Sequence, residues 1–86
     1  MKKIWKFEAP ITDLKISMPT GAQIIDLRIQ RRMPCLWAVV DPKADLVERR
    51  FRWVGTGHEM DFDGEYVGTV QSPDETLVFH LFEVAA

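Results

Sequence analysis

Only one cysteine, Cys35, occurs in the 86 residues, which rules out an intramolecular disulfide and any zinc site built from cysteine alone. It fits a reducing compartment. Histidine is almost as scarce: with only His58 and His80 present, a transition-metal site would have to recruit carboxylates, and no metal-ligand spacing occurs. We expect no metal and no cofactor. Long apolar runs are also missing, the longest being Cys35 to Val40, against about twenty residues for a membrane-spanning helix. No membrane partner is expected, and Lys6 and Glu8 break the apolar stretch that a signal peptide would need. Nor is there an excess of positive charge. Eleven Lys and Arg against 13 Asp and Glu give a net charge of −2, which argues against general nucleic-acid binding while leaving room for a local basic patch.

What is present is ordinary globular material, 47% apolar and 28% charged. No linker, repeat or low-complexity segment interrupts it, so residues 1–86 read as a single domain. A chain this short buries roughly 60–65% of the surface its unfolded form exposes, so the core must be small. Cys35, flanked by Met33-Pro34 and Leu36-Trp37, reads as a core hydrophobe rather than a nucleophile.

Period-two alternation between turn signals predicts about seven short strands and an all-β fold, a small antiparallel sandwich or partly open barrel. Lys3–Glu8 sets Trp5 and Phe7 against Ile4, Lys6 and Glu8, and Pro10 ends it as an edge strand. Leu14–Met18 follows, then Ala22–Gln30, where isoleucine favours strand over helix. Cys35–Val40 is apolar on both faces, which suits a central strand. The turn Asp41–Asp45 is expected to fold it as a hairpin onto Glu48–Val54. Glu65–Val70 and Leu77–Val84 complete the set, the last sandwiched between apolar neighbours. A small sheet protein has edges to cover, so a homo-oligomer is expected.

The candidate functional surface is the segment Glu48 to His58. Read as a strand, it places Glu48, Arg50, Arg52 and Val54 on one face and Arg49, Phe51 and Trp53 on the other, before the loop Gly55-Thr56-Gly57-His58. Guanidinium groups suit phosphate and carboxylate, and a glycine loop can turn backbone N–H groups toward an anion. Arg49, Arg50, Arg52, Thr56, Gly57 and His58 are therefore the candidate ligand contacts. Against this, the loop lacks the spacing of a dinucleotide-binding turn or a phosphate-binding loop, and exposed arginines commonly pair with nearby carboxylates. Arg31-Arg32 would join the cationic group only if its turn lay beside Arg49 to Arg52 in the sheet.

Other residues read more simply. His80, within Val78 to Phe82, fits a core or interface histidine held by a hydrogen bond. Asp61-Phe62-Asp63-Gly64-Glu65 imitates a calcium loop without its twelve-residue ligand pattern, and reads as an acidic turn. The aromatic residues suit a core better than a base-stacking platform.

The blocks Ile4-Trp5-Lys6-Phe7-Glu8, Met18 to Ala22, Pro34 to Pro42, Gly55 to His58, Tyr66 to Thr69 and Val78 to Glu83, in this order, resemble a family of small phage- and prophage-encoded proteins. The resemblance implies action in the bacterial host cytoplasm and supplies no catalytic residues. The expected function is a non-enzymatic accessory protein that binds a host factor or a phosphate-bearing small molecule, as in sequestration of a nucleotide signal used in defence. One alternative is a structural or assembly protein of the particle. Another is a small hydrolase or nuclease using His58 or His80 with Asp61 or Asp63.

Overall fold

Alternating apolar and polar side chains over short runs, punctuated by Pro, Gly and Asp, favour strands. A computed structural model, which describes residues 1–85, contains seven of them and no helix among the described residues. They are β1 (Lys3–Glu8), β2 (Leu14–Pro19), β3 (Gln23–Gln30), β4 (Met33–Val40), β5 (Leu46–Gly55), β6 (Glu65–Gln71) and β7 (Val78–Val84). One antiparallel sheet runs β1-β4-β3 and the other β2-β5-β7-β6. The two sheets are separate, so the fold is a sandwich and not a barrel. β1 lies at an edge and β4 at a centre, as their patterns predict.

Inward-pointing side chains of the two sheets meet in one core, where Met18, Leu36, Val40, Phe51 and Leu81 are fully buried. Trp5 and Phe7 from β1 and Ile24 and Ile29 from β3 pack at its margin. The molecule is thin, 40 × 29 × 16 Å, as two layers spaced about 10 Å apart require. On one side the sheets close tightly where β3 meets β6: a Cβ on Gly68 would lie 3.0 Å from Cδ2 of Leu27. Glycine there permits the approach.

The expected hairpin between β4 and β5 does not form. Asp41 to Asp45 does turn the chain, with Ala44 N–H donating to Asp41 O at 3.0 Å, but it carries the chain from one sheet to the other. β4 is already paired on both edges, by β1 and β3, and has no free ladder to offer. Meanwhile Thr20 captures the turn's exit: its backbone N–H and its hydroxyl both donate to Asp45 O at 2.8 Å, which brings β5 onto β2.

The β3–β4 hairpin carries an unusual turn. Gln30 pairs with Met33, and the two residues between them, Arg31 and Arg32, both have positive φ, 51° and 70°. Two-residue hairpin turns of this hand normally carry Asn-Gly, because a side chain with a Cβ is strained there. Arg31→Asn combined with Arg32→Gly is therefore expected to stabilise the fold by about 1 kcal/mol, raising the melting temperature by roughly 4–8 °C. An unchanged melting curve would mean that the turn stores no strain.

Candidate functional site

Strand β5 sends its arginines in opposite directions. Arg49 points into the sandwich, where Nε and Nη2 each donate to the Glu83 carboxylate at 2.7 Å and Nη1 donates to Ala22 O, also at 2.7 Å. Ala22 immediately precedes β3 of the facing sheet, so one guanidinium ties the two layers together. The hydrogen bonding to Glu83 holds the Arg49 pKa above its ordinary value, outweighing the opposing effect of burial. All three of these donors serve the fold.

Arg50 and Arg52 point outward, as the alternation predicts. Arg50 is exposed, stands directly across from Lys15 of β2, and forms no ion pair among the described residues. Arg52 is more constrained. Its guanidinium carbon lies 4.4 Å from the centre of the Phe62 ring, while Nε and Nη1 are each 3.5 Å from a carboxylate, Asp13 and Asp61 respectively. Its Nε is shielded from solvent yet makes no hydrogen bond among the described residues. A shallow cavity of about 770 Å³ opens here, bordered by Asp13, Lys15, Arg50, Arg52, Phe62 and Asp63.

The register extends this surface across the sheet. Arg52 pairs with Phe82, and Phe82 with Tyr66, so a cation and two aromatics occupy one row of three strands. Phe82 meets Phe62 and Tyr66 edge-on, at centroid separations of 6.0 and 5.7 Å. Tyr66 is 60% exposed. In the next row, Val54–His80–Thr69, His80 Nδ1 lies 2.9 Å from Thr69 Oγ1 and Nε2 lies 2.8 Å from Thr56 Oγ1, while Tyr66 Oη lies 2.5 Å from Thr69 Oγ1. A continuous chain Tyr66–Thr69–His80–Thr56 results. Hydroxyls can donate or accept, so this chain suits either tautomer of the ring.

The glycine loop plays a narrower part. Thr56 N–H donates to Val78 O at 3.1 Å and His58 N–H to Gly55 O at 3.0 Å, with Gly57 at φ 85° where the tight turn needs a positive value. The His58 ring folds back over Gly55, so that a Cβ there would lie 3.0 Å from Nδ1. Two N–H groups are thus committed to strand and turn rather than facing an anion. Along an extended strand, Arg50 and Thr56 are roughly 20 Å apart. The six candidate residues therefore do not converge: Arg49 is internal, Arg50 and Arg52 border the cavity, and Thr56, Gly57 and His58 lie at the far end. Arg31 and Arg32 belong to the other sheet and do not join them.

Lys15, Phe62, Tyr66, Thr69 and Phe82 complete this face without having been singled out as contacts. Alternation alone puts Lys15 and Phe82 on the outer faces of their strands. Their juxtaposition with Arg50 and Arg52 needs the strand order β2-β5-β7-β6, which no local pattern encodes.

The sequence model of one family, a domain of unknown function (DUF7352), matches residues 1–86. The chain belongs to the DUF7352 family. Both sheets, the cavity and the Tyr66–Thr69–His80–Thr56 chain lie within the span matched to DUF7352. No curated protein and no solved structure matches the chain.

Proposed function

We propose that the protein is a non-enzymatic binding protein, encoded by a phage or prophage and acting in the host cytoplasm, that holds a phosphate-bearing aromatic small molecule such as a nucleotide. Its binding surface is the outer face of β2-β5-β7-β6. The observation that carries this reading is the side-by-side placement of Lys15 and Arg50, the latter without an ion pair among the described residues, one row from the Arg52, Phe62, Phe82 and Tyr66 cluster. Two adjacent cations suit a phosphate, and aromatic rings one strand away suit a base, whose π-face stacks without sequence demands. Capture without chemistry would make the protein a sponge for a nucleotide signal.

Binding alone is favoured over catalysis by the partners of His80, which are threonine hydroxyls on both ring nitrogens. A histidine serving as base in hydrolysis is usually oriented by a carboxylate and faces a nucleophile beside donors for the developing charge. The loop N–H groups best placed to act as such donors, those of Thr56 and His58, are already bonded.

Calorimetric titration with a panel of mono-, di- and cyclic nucleotides tests this proposal. At least one is expected to bind, and Arg50→Ala should weaken that binding by roughly ten- to a hundredfold, the loss of about 1.5–3 kcal/mol for a hydrogen bond to a charged group. Raising the salt concentration should weaken it further. If no nucleotide binds, or Arg50→Ala binds as tightly as the native protein, the reading fails.

A further inference from the structure

The other sheet leaves an outer face that the binding surface does not use. Its three strands set their outward residues in rows: Ile4–Val39–Gln23, then Lys6–Trp37–Asp26, then Glu8–Cys35–Arg28. Along the centre, β4 presents Met33, Trp37 and Val39, half-buried although no second layer covers them. Ile4 is 60% exposed on one flank and Ile25, at the β3 bulge, 55% exposed on the other. Cys35 also points outward but is only 2% exposed. A hydrogen bond from Lys6 Nζ to Gln30 Oε1, 2.8 Å long, spans from β1 to β3 and crosses β4 at the level of Cys35.

The charges around this apolar centre form a checkerboard. Lys6 and Glu8 follow one another on β1, while Asp26 and Arg28 follow in the opposite order of sign on β3. Such a pattern is complementary to itself. When two copies stack face to face about a twofold axis running along β4, Lys6 lies over the second copy's Asp26 and Glu8 over its Arg28. An axis running across the strands instead sets Lys6 over Glu8 and Asp26 over Arg28. Each twofold arrangement places every cation over an anion, and apolar β4 over apolar β4.

From this geometry we propose that the outer face of β1-β4-β3 is a self-association surface, whose occupant is a second copy of this chain. Strands of six, eight and eight residues give a footprint of about 350 Å² on each copy, below the roughly 800 Å² of a standard interface. The dimer is accordingly weak and concentration-dependent. It places the outer faces of β2-β5-β7-β6 at opposite ends of the assembly, so its formation does not depend on what those faces bind.

Sedimentation equilibrium of the full chain, from about 10 μM to 1 mM, reads the association directly. The mass is expected to rise from monomer to dimer across that range. Lys6→Glu with Arg28→Glu sets like charges opposite one another under either axis, and should raise the dissociation constant on the order of a hundredfold. Inverting the whole checkerboard, with Lys6→Glu, Glu8→Lys, Asp26→Arg and Arg28→Asp together, should restore the dimer. Arg50→Glu, on the opposite sheet, should leave it unchanged. A native protein that stays monomeric throughout overturns the proposal, as does association that survives the double reversal or is lost with Arg50→Glu. Far-UV circular dichroism confirms that each variant is folded, and all the substituted positions except half-buried Asp26 are exposed.

Discussion

Arg49→Ala is expected to destabilise the fold by about 2–3 kcal/mol, read as a shift in the urea midpoint at unchanged slope. The loss is large because three charge-assisted donors disappear together, leaving the Glu83 carboxylate and the Ala22 carbonyl without them. Both charged side chains retain about a fifth of their exposure, 21% and 22%, which keeps the expected loss below that of a fully buried pair. For a domain of this length, total stability is roughly 4–13 kcal/mol, so the variant loses a substantial share. Arg49→Lys keeps the charge but not the fork, and should recover less than half. Arg49→Met with Glu83→Leu removes both charges together and should be more stable than Arg49→Ala. If Arg49→Ala unfolded at the native urea concentration, the guanidinium would not be holding the sheets together.

Phe51→Ala should cost still more, about 3–5 kcal/mol, because it empties the largest fully buried side chain in the core. Phe51 sits opposite Leu14 of β2 and Glu83 of β7, at the centre of its sheet, and is 1% exposed. A loss of that size reaches the lower end of the total stability, so the variant is expected to show a non-cooperative transition and a weakened near-ultraviolet dichroism signal. Phe51→Leu keeps most of the volume and should cost less than half as much, while leaving outward Arg50 and Arg52 in place. A cooperative transition at native urea concentration for Phe51→Ala would show that the core repacks without it.

Both predictions rest on a pattern visible in the chain. Between Arg50 and Trp53, polar and apolar residues alternate strictly, and a strand offers only two faces, so the separation of Arg50 and Arg52 from Phe51 and Trp53 follows from spacing alone. Arg49 defeats that simplicity. It lies on the inward face, where an arginine is costly unless paired, and its partner Glu83 is 34 residues away on a strand whose neighbours no local signal names. Cys35 teaches a related point. Its burial was legible from its apolar surroundings, but not its place on the outward side of β4, at the level where a Lys6–Gln30 hydrogen bond crosses the sheet. The β4–β5 expectation failed because turn residues report a reversal of direction and say nothing about which sheet receives the next strand. The aromatic and histidine rows were equally hidden, since Phe62, Tyr66, Thr69 and His80 come from a loop and two strands that meet only in the folded register.

The strand order has a consequence for how the chain reaches this state. Only β3–β4 and β6–β7 join sequence neighbours; β1 waits for β4, β2 waits for β5, and β5 waits for β7. Such non-local pairing places the protein among slow-folding β topologies, on the order of milliseconds to seconds. On the ribosome, the apolar side chains of Ile16 and Met18 have no partner strand until Leu46 to Gly55 has been synthesised, and that strand in turn awaits β7, Val78 to Val84. The nascent protein therefore keeps its future core open to water until β7 has emerged.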